Sequence, residues 1–221
     1  MRVFLTTILM FLALPAGAQN NAAPAKVPDL TGIYQAVPLN TTLPGGLKGA
    51  GTLADLALQP AASEKAKARD LKDDPAKNCQ VIGPFRMMAR DDNKIEMVAS
   101  DDRIAVMFEN TALGNIRWIY TRRAHPAKLQ PSWMGDSTGT WEGDTLVVDT
   151  VGFNESTWLN DLGAPHSANL HLVERFRLLP GGKYLEYKMT AEDPQALAKP
   201  YSYARYYEKT NVELKEDFCG R

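Results

Sequence analysis

The feature that most constrains the fold of this chain is a succession of short β-type segments that begins after Arg86. The segments are rich in β-branched and aromatic residues, and turn residues such as 142–144 and 180–182 separate them. Nine or ten antiparallel strands in one domain are typical of a barrel or a sandwich, and a closed barrel leaves no exposed edge. We predict an all-β fold, a single antiparallel β-barrel in which consecutive strands form a meander of hairpins. The predicted strands cover residues 29–37, 94–100, 103–110, 116–122, 137–141, 145–153, 170–179, 184–191, 201–209 and 212–218.

The N-terminus has the composition of a secretory leader. Arg2 precedes an apolar stretch over residues 3–14, and small residues around Ala18 form a cleavage site. Because the apolar stretch is shorter than the ~20 residues that span a bilayer, we predict a signal peptide at 1–18 and no membrane insertion after its removal. The mature protein is then periplasmic or secreted, with a linker at 19–28 and one barrel domain at 29–221.

Two further features concern the organisation of that domain. Residues 38–78 lack the strand pattern and include an Ala-, Lys- and Arg-rich stretch at 63–72, which predicts a loop excursion with one short helix and makes it a candidate lid. Cys79 and Cys219 are the two cysteines of the chain. In an oxidising compartment such an even pair most simply forms one structural disulfide.

The charge of the chain excludes one class of partner. Lys and Arg number 25 against 26 Asp and Glu, and the basic residues form no tract. A nucleic-acid-binding protein normally carries a basic face or stripe. We therefore expect a small-molecule substrate or ligand as the partner and no nucleic acid, and we leave the oligomeric state open.

Loop lengths indicate where such a molecule would bind. In a meander of hairpins the connections alternate between the two ends of the barrel. The short turns, predicted at one end, are 111–115, 142–144 and 180–183. The long connections, predicted at the other end, are 123–136, 154–169 and 192–200. Long structureless loops are uncommon unless they are functional, so we expect the ligand site at the long-loop mouth.

The three histidines, His125, His166 and His171, lie on or beside those long connections. Imidazole titrates near neutral pH and both accepts and donates protons, so acid–base catalysis is one interpretation. A second is a three-histidine site for zinc or another divalent metal with one open position. A third is a structural role in which the rings only hydrogen-bond the backbone. We favour a site without metal or cofactor in which His166 and His171 transfer protons, with the metal site as the alternative.

The strand predicted after the second long loop carries a carboxylate on its apolar face. Glu174 alternates there with leucine and phenylalanine, whereas His171 lies on the opposite face. A carboxylate among apolar side chains must be paired or must carry a proton with a raised pKa. Glu174 is therefore either a second catalytic acid or base, or half of a buried pair with Arg117 or Arg205. Asp149 is a similar acid on a buried strand, which we expect to be solvated or ion-paired.

Other polar and aromatic residues complete the predicted site. An amide beside the reacting atoms holds an oxygen on which charge develops, which is the catalytic role predicted for Asn154, with Asn169 as the alternative. Tryptophan rings stack on sugars, polyphenols or terpenoid rings, whereas Trp118, within a strand, is expected in the core. The predicted substrate-binding residues are His125, Trp133, Trp158, Asp161 and Asn169.

The segment W-M-G-D-S-T-G-T-W-E-G-D-T-L-V-V-D-T-V-G-F-N, residues 133–154, resembles the signature of a family of exported bacterial proteins. The resemblance continues through G-x-P-H-S at 163–167 and L-H-x-x-E-R-F at 170–176, and it covers roughly residues 79–219. It implies no reaction and no cofactor, only that the family pattern includes the three histidines, Asn154, Trp158 and Glu174. The opening D-L-T-G-I-Y at 29–34 is similar to the first strand of lipocalin-like (calycin) barrels.

These features together predict an exported, cofactor-free enzyme that uses acid–base chemistry on a small organic substrate such as a glycoside or plant polyphenol. The reaction class is elimination, isomerisation or hydrolysis. The alternative is a non-catalytic, lipocalin-like binder of an apolar or aromatic molecule, with a deep lumen that no histidine reaches. A third interpretation is an envelope interaction protein with a filled core and no small-molecule site.

Overall fold

Nine strands close into a single barrel in the computed structural model, which describes residues 27–109 and 116–215. The prediction of one all-β barrel with a short helix in an early connection is confirmed. The elements in chain order are β1 (Gly32–Ala36), α1 (Pro60–Ala68), α2 (Gly83–Met87), β2 (Lys94–Ala99), β3 (Arg103–Phe108), β4 (Ile116–Tyr120), β5 (Asp136–Glu142), β6 (Thr145–Val151), β7 (His171–Leu178), β8 (Tyr184–Glu192) and β9 (Tyr201–Thr210). No helix in this part of the chain is long and apolar enough to cross a membrane.

Some predictions concern residues outside the described ranges. The signal peptide at 1–18 and most of the linker at 19–28 lie there, so the leader and export stay predictions. Cys219 also lies outside, so its disulfide with Cys79 stays a prediction. The predicted last strand is wrong over residues 212–215, which are not in a strand, and its remainder lies beyond the described residues.

The barrel departs from a pure meander at one place. All neighbouring strands pair antiparallel except β4 and β5, which run parallel where Ile119 and Tyr120 pair with Ser137 and Thr138. A closed ring with an odd number of strands cannot alternate direction throughout, so one neighbouring pair has to be parallel. The parallel pair is not the one that closes the ring, because β1 and β9 pair antiparallel. It is instead the pair β4–β5. The 121–135 connection therefore runs from one end of the barrel to the other.

This topology corrects the predicted distribution of loops. We call the end at which β6 ends and β7 begins the loop end, and the long connections at 154–169 and 192–200 both lie there, as predicted. The excursion that connects β1 to β2 also begins and ends at the loop end. The prediction is wrong for 111–115, because β3 ends and β4 begins at the loop end, and for 123–136, because that connection joins opposite ends.

The excursion packs on the loops of the loop end. The backbone N–H of Gln59 donates to the carbonyl of Ala196 at 2.9 Å, and the Arg69 guanidinium donates to the carbonyl of Gly163 at 2.9 Å. Residues 60–68 form the exposed helix that the composition predicts. The segment therefore covers these loops, and an opening motion as a lid stays a prediction.

The interior of the barrel is filled with large side chains. Tyr34, Phe176 and Tyr207 are wholly buried. Helix α2 and the residues after it pack against β9 from inside, where the hydroxyl of Tyr203 donates to the carbonyl of Phe85 at 2.7 Å and that of Tyr207 to the carbonyl of Met88 at 2.8 Å. The sequence did not predict α2, because five residues that begin Gly-Pro carry no helical periodicity. Leucine, phenylalanine and tyrosine side chains pack against one another here instead of lining an open lumen.

Candidate acid–base site

Outward-facing residues near the loop end of β5, β6 and β7 bring acidic and histidine side chains together. Side chains alternate across a strand, which turns Asp136, Asp149 and His171 outward while their neighbours within the same strands point inward and are buried. β6 lies between β5 and β7, with Asp149 opposite Thr138 on one side. His125, from the 121–135 connection, contacts this outer face through both of its ring nitrogens.

The side chains form a continuous series of polar contacts. Arg123 donates to the two carboxylate oxygens of Asp136 at 3.1 and 2.5 Å. Nδ1 of His125 lies 2.6 Å from Oδ1 of Asp136, and its Nε2 lies 2.8 Å from Oδ1 of Asp149. The other oxygen of Asp149, Oδ2, lies 2.6 Å from Nε2 of His171. We call these five residues the Asp–His cluster.

Both carboxylates of the cluster are ionised at neutral pH. Burial alone would raise the pKa of Asp149, but hydrogen bonds from His171 and His125 outweigh it and hold this pKa below its ordinary value. Burial acts in the same direction on Asp136, where hydrogen bonds from Arg123 and His125 again lower the pKa. A carboxylate only accepts hydrogen bonds, so the two contacts of His125 are both hydrogen bonds when each ring nitrogen carries a proton.

His171 is the member of the cluster that is placed to exchange a proton. Its Nε2 faces Asp149 and donates to it, which leaves Nδ1 with the lone pair of a neutral ring. Within residues 27–109 and 116–215, Nδ1 has no hydrogen-bond partner, and the side chain is 34% exposed. A carboxylate that holds one ring nitrogen fixes the tautomer and the direction of the other, which is the arrangement of a general base.

His166 lies apart from this cluster. The carbonyl of Ser167 accepts from Nδ1 at 2.9 Å, so Nε2 accepts from the hydroxyl of Thr157 at 2.7 Å. The ring packs edge-on against Phe153 and is 2% exposed. The structure therefore separates the two histidines predicted to transfer protons, because the contacts of His166 are those of a structural histidine.

The alternative metal site is not assembled either. His125 and His171 share Asp149, whereas the contacts of His166 are with other residues. In the part of the chain that the structure describes, no three or more His, Cys, Asp or Glu side chains are arranged to hold a metal ion.

The burial of His166 predicts a pH dependence of stability. Burial lowers the pKa of this ring, so the unfolded chain protonates it at a higher pH than the folded protein. The free energy of unfolding is therefore expected to fall as the pH is lowered from about 6.5, the ordinary histidine value. Urea unfolding at neutral and mildly acidic pH measures this fall, which is expected to be smaller in His166→Gln. An equal fall in both proteins would contradict the prediction.

Glu174 faces the interior, where it pairs with Arg117. One guanidinium nitrogen of Arg117 donates to Oε1 of Glu174 at 2.8 Å and another donates to Oε2. The hydroxyl of Tyr187 also donates to Oε1 at 2.8 Å, and Arg117 contacts Ser137 and Thr150. The two charged side chains are 0% and 1% exposed. The interpretation of Glu174 as half of a buried pair is confirmed, and it does not share a face with the Asp–His cluster.

Two other predicted site residues have local contacts. Asn154 accepts a hydrogen bond from the backbone N–H of Ser156 at 3.2 Å, which closes a local turn. Trp158 is buried, with the guanidinium of Arg69 4.9 Å from the ring centre. These contacts place neither Asn154 nor Trp158 at the Asp–His cluster.

The remaining predicted substrate-binding residues are exposed. No hydrogen bond, ion pair or ring contact in the described residues joins them to the Asp–His cluster. They are Trp133, Asp161 and Asn169. Trp118, which the sequence places in the core, is instead 41% exposed on the outer face of β4, because the alternation of this short strand turns Arg117 inward.

Sequence reasoning missed two members of the cluster, Arg123 and Asp136, and expected Asp149 only to be solvated or ion-paired. The alternation of side chains along each strand was an available signal, because it turns Asp136, Asp149 and His171 to the same outer face of the barrel. Comparison with protein-family models and with curated proteins finds no match for this chain. The resemblance to a family of exported bacterial proteins stays a prediction.

Proposed function

We propose that this protein is an enzyme that uses acid–base chemistry on a small organic substrate, with His171 as the residue that transfers the proton. The observation that carries the proposal is the 2.6 Å contact between Nε2 of His171 and Asp149 on an exposed face. This contact leaves Nδ1 available to a substrate and fixes its direction.

The other members of the cluster support the proton transfer. When His171 accepts a proton at Nδ1, a cation forms beside the ionised carboxylate of Asp149, and the attraction between them favours the protonated ring. His125 holds the other oxygen of Asp149, and Arg123 with Asp136 holds His125. These residues act as positioning residues, because they limit the rotation of Asp149 and hence of His171.

The source of the proton narrows the reaction class. In the described part of the chain, no serine, threonine or cysteine side chain contacts Nδ1 of His171. The proton accepted by His171 therefore comes from the substrate or from a water molecule. Removal of a substrate C–H proton corresponds to elimination or isomerisation, and activation of water corresponds to hydrolysis. An exported protein of this kind would act on extracytoplasmic compounds such as glycosides or plant polyphenols.

Turnover assays test this proposal. The purified mature protein is incubated with a panel of aryl glycosides, phenolic esters and hydroxylated aromatic acids, and products are followed by mass spectrometry. We expect turnover that falls by about 10²–10⁴-fold in His171→Gln, the usual contribution of a general base. The matched control is Arg175→Gln, which changes an exposed residue on the same face of β7 and is expected to keep the activity. Equal rates in wild type and His171→Gln would contradict the proposal.

A further inference from the structure

A groove borders the Asp–His cluster where β4 and β5 separate. The parallel pairing of these strands covers only two residue pairs. Within the described residues, the earlier part of β4, residues 116–118, has no strand partner on the β5 side. Between this part of β4 and the 121–135 connection lies a groove of about 360 Å³, within the size range of small-ligand sites. Asp136 belongs both to the groove and to the cluster.

The groove carries exposed aromatic and apolar side chains beside polar ones. Trp118 and Ile116 are 41% and 44% exposed, and Tyr120, Leu129 and Met134 also line the groove. A cation stacks near each ring, since the guanidinium of Arg103 lies 4.7 Å from the centre of Trp118. That of Arg123 lies 3.7 Å from the centre of Tyr120. Stacked arginines hold such rings in place, and a flat aromatic group packs well against exposed, fixed rings.

The groove lining has one cation without an ion pair among the described residues. Lys128 lines it and has no carboxylate partner among the described residues. The one acidic residue in the lining, Asp136, already binds Arg123 and His125. Arg103 adds a further cation beside Trp118, with Asp102 at 3.8 Å. The unpaired ammonium of Lys128 therefore favours an anionic group on the ligand.

We propose that this groove is a binding subsite for small aromatic carboxylates. The ring packs against Trp118 and Tyr120, and the carboxylate faces Lys128. This inference does not depend on the proposed function, because binding in the groove is measured without turnover.

Calorimetric titration of the mature protein at low ionic strength tests the subsite with three probes. The probes are 4-hydroxybenzoate, which has ring and charge, phenol, which has the ring alone, and cyclohexanecarboxylate, which has the charge alone. We expect 4-hydroxybenzoate to bind most tightly and its affinity to fall about five- to tenfold in Trp118→Ala and in Lys128→Ala. The matched controls are Val98→Ala and Lys188→Ala, which change exposed residues on other strands, and their affinity is expected to equal that of wild type.

The outcomes separate the two proposals. If phenol or cyclohexanecarboxylate binds as tightly as 4-hydroxybenzoate, or if Trp118→Ala binds like wild type, the aromatic carboxylate subsite is overturned. Turnover that depends on His171 without binding in the groove would count against the subsite alone. Binding of 4-hydroxybenzoate that is lost in Trp118→Ala supports the subsite even if His171→Gln leaves turnover unchanged, which would count against the proposed function alone.

Discussion

Replacement of Arg117 by alanine is expected to lower the free energy of unfolding by about 3–5 kcal/mol. The reason is that Glu174, which is wholly buried, would be left as a charge without its partner in a medium of low polarity. The remaining hydrogen bonds, from Tyr187 and Thr150, do not neutralise that charge. A loss of this size is a large part of the 5–15 kcal/mol that typically stabilises a domain. Equilibrium unfolding in urea at neutral pH measures it.

Two variants show whether burial is the cause. Arg175 forms an ion pair with Glu142 at 2.8 Å on the exposed face of the barrel, and Arg175→Ala is expected to cost at most about 1 kcal/mol. In the double variant Arg117→Met/Glu174→Leu both charges are removed, and most of the stability lost in Arg117→Ala is expected to return. If Arg117→Ala costs as little as Arg175→Ala, the interior pair does not carry the stability argued here.

The strand around Glu174 shows why part of this core was predictable. The alternation of residues along β7 places Glu174 inward and His171 outward, and a buried carboxylate requires a partner, so the pair and the two faces follow from local rules. The identity of the partner does not follow. Arg117 and Glu174 are 57 residues apart and meet only because β4 and β7 face one another across the interior, which is a property of the closed barrel.

The course of the 121–135 connection could not be predicted from local rules. Its length indicated a functional loop, but the assumption of hairpins placed it wholly at one end. Whether a ring of strands contains nine or ten members decides whether a parallel pair must occur. The sequence left that number open. The position of the parallel pair at β4–β5 also determines that His125 reaches Asp136 and Asp149, so the cluster was as hard to predict as the topology.

The histidines also show the difference between what residue type predicts and what tertiary contacts decide. All three occupy loops or strand ends near the predicted site, yet their environments differ through tertiary contacts. His166 is enclosed by Thr157, Ser167 and Phe153, whereas His171 stays exposed beside Asp149. Residue type indicated acid–base chemistry, and burial decides which ring is accessible for it.

Replacement of Asp149 by asparagine is expected to lower kcat by about 10²–10⁴-fold and to change KM little. An amide is isosteric with the carboxylate but neutral, so it does not stabilise the protonated form of His171. Its NH₂ group also donates a hydrogen bond, which favours the tautomer of His171 that carries the proton on Nδ1 and removes the base. The measurement is steady-state kinetics on the substrate that the panel identifies.

Controls separate this role from a structural one. Because Asp149 lies on an exposed face and 44% of its side chain is accessible, Asp149→Asn is expected to cost no more than about 1 kcal/mol of stability. The matched control is Asp144→Asn, in the exposed turn at the far end of β6, with kcat expected to equal that of wild type. Asp136 does not contact His171 and acts on it through His125, so Asp136→Asn is expected to give a smaller fall in kcat than Asp149→Asn. A kcat for Asp149→Asn equal to that of Asp144→Asn would show that the carboxylate does not position the proton-transferring histidine.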